Sequence, residues 1–147
     1  PGSHGGSGDA PLVVSSRVAN LAANHAELQK ANTVLVIGAG TVGVELAAEI
    51  AEQFPKKQVM LVGPILPRAP LRARRHAESW LRSHGVTLMP TARVQRQEGR
   101  LFYTSDGDTI QAEMAFLCTG NVPNSQLLQK SKDLTQYINE RGYAVVT

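Results

Sequence analysis

Cysteine is almost absent from the chain, and this limits the chemistry available to it. The 147 residues include one cysteine, Cys118, which excludes an internal disulfide and a C-x-x-C redox or zinc motif. Cys118 ends the apolar run MAFLC, which favours a buried and inert thiol. The four histidines are scattered and form no catalytic triad or ligand cluster, so we predict no metal site.

Long apolar runs and a large net charge are absent as well. No run approaches the roughly 20 residues of a membrane-spanning helix, so no transmembrane segment is predicted. The net charge of +3 is too small to indicate nucleic acid as a partner. No signal peptide is recognisable, and we expect a cytoplasmic location, with organellar and membrane-peripheral locations left open.

The composition that remains is typical of one globular domain, with 42% apolar and 18% charged residues. The start, PGSHGGSGD at 1–9, resembles a cloning scar with a flexible leader. We expect a domain at 10–130 and a weakly patterned tail at 131–147, in which 143–146 is a candidate strand.

The rest of the chain is organised around one stretch, TVLVIGAGTVGVELAAEIAEQF. Residues 33–37 are mostly apolar and β-branched, as in a buried parallel strand, and an amphipathic helix is predicted over 42–54. Between them, Gly38, Gly40 and Gly43 have the G-x-G-x-x-G spacing of dinucleotide-binding loops. We expect Gly38 to make the turn, Gly40 to let a pyrophosphate approach, and Gly43 to let the helix pack closely.

The start of that helix is the expected phosphate site. Its first N–H groups have no partner within the helix, and the helix dipole adds partial positive charge. We therefore assign Thr41 and Val42 to cofactor binding, together with the three glycines. A glycine-rich turn in an unrelated α/β domain is the weaker alternative, because a strand and a long helix flank the motif.

Further elements follow from the spacing of apolar residues. A helix capped by Ser15 or Ser16 is predicted to end near Asn32. The other predicted elements are a strand at 59–62, a helix at 71–84, a strand at 86–89, antiparallel strands at 92–98, 101–104 and 109–112, a strand at 114–118, and a short helix from Asn124 or Ser125 through Gln129. The predicted fold class is α/β, a Rossmann-type parallel sheet with flanking helices plus a small antiparallel β-meander.

Three segments resemble one known family. They are VLVIGAGTVGVELAAEI at 34–50, HGVTLMPTARV at 84–94 and DGDTIQAEMAFLCTGNVPNS at 106–125. With these motifs in this order, residues 16–130 resemble the NAD(P)H-binding domain of FAD-dependent pyridine nucleotide-disulfide oxidoreductases. Within that family the chain looks most similar to apoptosis-inducing-factor-like and ferroptosis-suppressor-like NAD(P)H:quinone oxidoreductases, with type II NADH dehydrogenases nearby.

The resemblance implies cofactors and a partner domain. In the family, this domain binds NAD(P)H and is inserted into a flavin domain of the same chain, so 131–147 would lead towards a missing flavin domain. The implied function is to aim hydride at FAD, which passes electrons to a quinone or another acceptor. No catalytic residue is then expected in this chain. The alternative is a non-catalytic nucleotide-sensing or interaction module, because fold alone does not determine function.

The resemblance also assigns residues outside the glycine motif. The glutamate matching Glu45 faces the flavin domain beside the nicotinamide and pairs with a lysine there. A carboxylate in the first turn of a helix also complements the helix dipole, so a structural role is the alternative. Thr119 and Gly120 match the segment that lines the cofactor cleft, and they are otherwise the exit of a strand.

The choice between NADH and NADPH is left open. An acidic residue usually follows the second strand and binds the ribose of NAD, but Gly63 occupies that position. Arg68 and Arg72 follow, and the forked donors of either suit a 2′-phosphate; a solvated basic face is the alternative. Glycine rather than alanine at 43 leans towards NADH by resemblance. We assign Gly63 and Arg68 to cofactor binding.

Overall fold

The computed structural model describes residues 12–15 and 21–120, with side chains from residue 24 onward. Within these residues the chain alternates strands and helices before a run of strands. Their bounds are β1 Leu12–Ser15, α1 Leu21–Lys30, β2 Thr33–Ile37, α2 Thr41–Gln53, β3 Gln58–Val62, α3 Leu71–Ser83, β4 Thr87–Met89, β5 Val94–Glu98, β6 Leu101–Thr104, β7 Thr109–Gln111 and β8 Met114–Leu117.

Five of these strands form one parallel sheet in the order β1-β8-β2-β3-β4. In the central strand β2, Leu35 is paired with Met60 of β3 on one side and Ala115 of β8 on the other. Val34, Leu35 and Val36 have no exposed surface, because both faces of the sheet are covered. Helices α2 and α3 make the crossovers that parallel neighbours require.

The remaining strands, β5, β6 and β7, form an antiparallel meander that connects β4 to β8. Leu35 and Ala115 of the sheet join Phe102 and Ile110 of the meander in one apolar cluster, whereas Val36 packs in a separate cluster with residues of the helices. Alternate side chains of a strand point to opposite faces, so the sheet divides two cores. The predicted α/β class, parallel sheet and meander are confirmed.

The first predicted helix needs a correction. Ser15 ends strand β1 instead of capping a helix, and α1 begins at Leu21. Four residues such as LVVS carry little local signal, and their strand conformation comes from parallel pairing with β8. The other predicted boundaries within the described residues agree with the structure to within two residues.

Some expectations lie outside the described residues. They concern the leader at 1–9, the helix from Asn124 or Ser125, the tail at 131–147 and the candidate strand at 143–146. In the part of the chain that the structure describes, no helix combines the length and the apolar character needed to cross a membrane.

Candidate functional site

An open cleft of about 900 Å³ lies where the parallel strands end. Its walls are residues 37–42, 62–64, 66–69, 92–94 and 118–120, most of which directly follow β2, β3 and β8. The chain moves from β2 to β3 and β4 on one side and later returns to β8 on the other. The switch point of the sheet therefore lies between β2 and β8, the place where open α/β sheets bind ligands.

Two glycines hold the loop after β2 against neighbouring backbone. Gly38 has a φ of 101°, and a Cβ there would lie 2.6 Å from the carbonyl oxygen of Cys118. Gly43 is buried, and a Cβ there would lie 1.8 Å from the carbonyl oxygen of Gly38. Any side chain at either position therefore collides with main-chain atoms, so the loop, α2 and the end of β8 pack at backbone distance.

Gly40 differs from its two neighbours in the motif. It is the N-cap of α2, with φ −70° and ψ −169°, and a Cβ there would have no atom within 4 Å. Among the described residues no side chain caps the helix, and none of them accepts from the first N–H groups of α2, at Thr41 and Val42. Val42 is 53% exposed on the cleft wall. The helix start is thus open to a ligand that accepts hydrogen bonds.

The position of Glu45 corrects the expectation that its carboxylate lies in the first turn of the helix. Helix α2 begins at Thr41 and has no acidic residue in its first turn, so Glu45 lies in the second turn. It is exposed and does not line the cleft. Its carboxylate therefore neither caps the helix dipole at the first turn nor places negative charge on the cleft wall.

Gly63 shows why an acidic residue is missing after β3. Its φ is 119°, a conformation that residues with a side chain rarely adopt. Its N–H donates to the carbonyl oxygen of Met89 at 3.1 Å, which fixes it beside the end of β4. An aspartate or glutamate at this position would strain the backbone that closes the cleft.

The charged groups on the cleft wall are cationic. Among the described residues, Arg68 and Arg93 line the cleft, and no carboxylate does. Both arginines are exposed. Arg72, on the first turn of α3, is outside the lining. The cleft therefore combines two guanidinium groups with an uncapped helix start, which suits an anionic ligand.

Arg93 is a site residue that the sequence analysis missed. The predicted strand at 92–98 would have placed it inside the meander, but β5 begins at Val94 and Arg93 lies in the preceding loop. The available signal was its position after β4, because the loops that follow parallel strands border the ligand site.

Cys118 lies on the floor of the cleft and is buried, as predicted. Its N–H donates to the carbonyl oxygen of Ile37 at 2.7 Å. Burial raises the pKa of the thiol, so it remains protonated and unreactive near neutral pH. In the described part of the chain, no three histidine, cysteine or acidic side chains are grouped as metal ligands.

A smaller cavity of about 280 Å³ lies at the opposite end of β2. There the Glu113 carboxylate accepts a hydrogen bond from the Asn32 N–H at 2.5 Å, and the Glu113 N–H donates to the Thr33 carbonyl at 3.1 Å. The bond from the Asn32 N–H lowers the pKa of Glu113. These contacts join the end of α1 to the start of β8, so this polar cluster is structural.

The structure brings most of the predicted site residues to one place. The residues on the cleft wall are Gly38, Gly40, Thr41, Val42, Gly63, Arg68, Thr119 and Gly120. Of the other two, Gly43 is buried behind the loop and Glu45 lies outside the lining.

Comparison with known proteins gives the chain a family. The model for the family described as pyridine nucleotide-disulphide oxidoreductase matches residues 5–147. The NADH dehydrogenase-like protein YutJ of Bacillus subtilis (strain 168) is 30% identical over 118 residues, which cover 78% of this chain and 32% of that protein. Ferroptosis suppressor protein 1 of Taeniopygia guttata is 30% identical over 112 residues, which cover 67% of this chain and 30% of that protein.

Solved structures agree with the curated relatives. The water-forming NADH oxidase from Lactobacillus brevis, bound to NADH, superposes with a TM-score of 0.70 at 25% identity, covering 80% of this chain and 27% of that one. The chain therefore spans about a third of the length of its relatives. Since the family model matches nearly every residue, the chain belongs to the pyridine nucleotide-disulphide oxidoreductase family, as the resemblance implied.

Proposed function

We propose that the chain is the nicotinamide-dinucleotide-binding domain of an FAD-dependent NAD(P)H oxidoreductase. The observation that carries the proposal is the uncapped start of α2, which opens into a cleft whose charged lining is cationic. A pyrophosphate at Gly40, Thr41 and Val42 would accept hydrogen bonds from the N–H groups there, and no Cβ would block its approach at residue 40. The family and the NADH bound to the Lactobacillus brevis relative support this choice of ligand.

The two halves of the dinucleotide would lie on either side of β2. A ligand at the switch point spans both halves of the sheet, and its adenosine ribose lies at the end of the second strand of the motif. That end is Gly63, and Arg68 lies on the loop that follows it, also in the lining of the cleft. The nicotinamide would then lie at the exit of β8, beside Thr119 and Gly120, both of which are exposed.

The proposed task of the chain is to hold and aim the reductant. FAD, bound by a flavin domain in the rest of the protein, would accept the hydride and pass electrons to a quinone or another acceptor. Among the described residues no side chain can accept a hydride, since Cys118 is a buried thiol without a partner cysteine. Glu45, exposed on α2 outside the cleft, would meet the flavin domain.

Replacing Gly40 with valine tests the phosphate site. The backbone at residue 40 is extended, and an added Cβ meets no atom within 4 Å, so the fold should be retained. The valine side chain would occupy the place of the pyrophosphate, so calorimetry should show loss of NADH and NADPH binding. Ala73→Val, which adds similar bulk at an exposed position of α3 away from the cleft, is the matched control. Equal affinity of the wild type and Gly40→Val would contradict the proposal.

A further inference from the structure

We propose that Arg93 is a specificity-determining residue that binds, together with Arg68, a phosphate on the 2′ position of the adenosine ribose. The cleft then prefers NADPH to NADH. This inference rests on the proposed function, because that function places a dinucleotide in the cleft. It adds a residue and a cofactor preference that neither the glycine motif nor family membership assigns.

The first step is the conformation of Gly63. With φ at 119°, this position disfavours, through backbone strain, the acidic side chain that would bind the ribose hydroxyls of NADH. No other described residue supplies a carboxylate to the cleft wall. A ribose at this place therefore finds no anionic acceptor for its hydroxyls, and a 2′-phosphate would meet no like charge.

The second step is the loop that carries Arg68. Three prolines, at 64, 67 and 70, restrict its backbone. The N–H of Leu66 donates to the carbonyl oxygen of Ala39 at 2.8 Å, which ties this loop to the glycine loop. Arg68 thus extends from a braced segment on the adenosine side of the cleft, two residues beyond that tie.

The third step is the attachment of Arg93. Its N–H donates to Oγ of Ser105 at 3.1 Å, and its carbonyl oxygen accepts from the N–H of Ser105 at 2.8 Å. This reciprocal pair holds the backbone of Arg93 against the turn after β6. Because β4 ends beside Gly63, the loop from β4 brings Arg93 to the wall that Arg68 also lines. Arg68 and Arg93 therefore line the same cleft from separate loops, one after β3 and one after β4.

The positive charges of the two arginines match the chemistry of a 2′-phosphate. A phosphate monoester carries about −1.5 to −2 charges near neutral pH, and arginine forks bind its oxygens with paired hydrogen bonds. Two arginines neutralise that charge, and NADH offers them no monoester at the 2′ position. The alternative is that Arg93 stacks on the adenine ring, which NADH and NADPH share. That alternative predicts equal effects of a substitution on the two cofactors.

The experiment measures the affinity of the 147-residue chain for NADPH and for NADH by calorimetry at two salt concentrations. The wild type should bind NADPH more tightly, with an advantage that shrinks as ionic strength rises. Arg93→Ala should weaken NADPH binding about five- to tenfold, the size of one exposed charge-assisted contact, and change NADH binding less than about twofold. Arg93→Lys, which keeps the charge and loses the fork, should give an intermediate loss for NADPH.

Arg75→Ala is the matched control, because it removes the same charge from an exposed position of α3 outside the cleft lining. It should leave the ratio of the two affinities unchanged. If Arg93→Ala weakens the binding of NADPH and of NADH equally, or changes neither affinity, the inference is overturned. NADH binding by the wild type would still support the proposed function in that case. If the wild type binds neither cofactor, the proposed function fails first, and the inference fails with it.

Discussion

Replacing Gly38 with alanine should destabilise the fold, and the cause can be traced to particular atoms. The φ of 101° is a conformation that residues with a Cβ rarely adopt. The added Cβ would also lie 2.6 Å from the oxygen and 2.7 Å from the carbon of the Cys118 carbonyl. Ordinary contact begins at 3.4 Å, so the loop and the end of β8 must separate by about 0.8 Å. Both are backbone, and neither can move aside as a side chain would.

The size of the effect follows from these two costs. Holding a non-glycine residue in a sparsely populated conformation costs about 1–3 kcal/mol, and forcing an extra methyl into packed structure costs about 1–3 kcal/mol. Partial relaxation of the loop lowers the sum, so we expect a loss of about 2–4 kcal/mol in the free energy of unfolding. For a chain of this length each kcal/mol shifts Tm by about 3 °C, which gives a fall of about 6–12 °C.

Urea unfolding followed by circular dichroism measures this loss, with Gly40→Ala as the matched control. At residue 40 the backbone is extended and the added Cβ has open space, so the control should stay within about 1 kcal/mol of wild type. A shift of the midpoint without a change in slope would show that native stability changed. If Gly38→Ala were as stable as Gly40→Ala, the argument that backbone packing holds the loop would be refuted.

Three further predictions concern pH dependence, redox activity and Glu45. The pKa of Glu113 is lowered in the folded state, so the ionised carboxylate stabilises the fold. This stabilisation is complete above the ordinary pKa of glutamate and is lost as pH falls through the lowered pKa. Between pH 7 and pH 3, the urea midpoint should therefore fall less in Glu113→Gln than in the wild type. The purified chain should carry no flavin and should not oxidise NADH with a quinone, and a yellow or active preparation would contradict this prediction. The substitution Glu45→Gln should leave the affinity of the chain for NADH and NADPH unchanged. In the full-length protein, stopped-flow measurements should show slower flavin reduction in Glu45→Gln.

Much of the fold could be predicted because its signals are local. The signals are the mostly β-branched residues at 33–37, the glycine spacing from Gly38 to Gly43 and the helical stripe after it. They act within about twenty residues of one another. The meander is equally local, since its antiparallel strands are joined by short turns that contain Gly99 and Gly107, both with positive φ. For such elements, backbone conformation and side-chain alternation are decided by near neighbours, and the predicted boundaries agree closely with the structure.

The site could be predicted only in part, because several of its features depend on residues far apart in sequence. Arg93 reaches the cleft since β4 lies beside β3 and Ser105 holds the loop, and neither contact is visible in the sequence around residue 93. By sequence, the forked donors of either Arg68 or Arg72 suit a 2′-phosphate, and the cleft lining includes Arg68 alone of these two. Glu45 lies in the second turn of α2 because the helix starts one residue earlier than predicted.

The sequence by itself determined the strand, the glycine turn and the helix, and with them the kind of ligand that the loop suits, because these depend on local conformation and on missing Cβ atoms. Tertiary structure decided that LVVS becomes a strand, since β8 supplies its hydrogen-bond partners. It also decided the positive φ of Gly63 and brought two arginines from separate loops to one cleft. These outcomes come from packing between distant segments, whose relative positions are defined only once the sheet has formed.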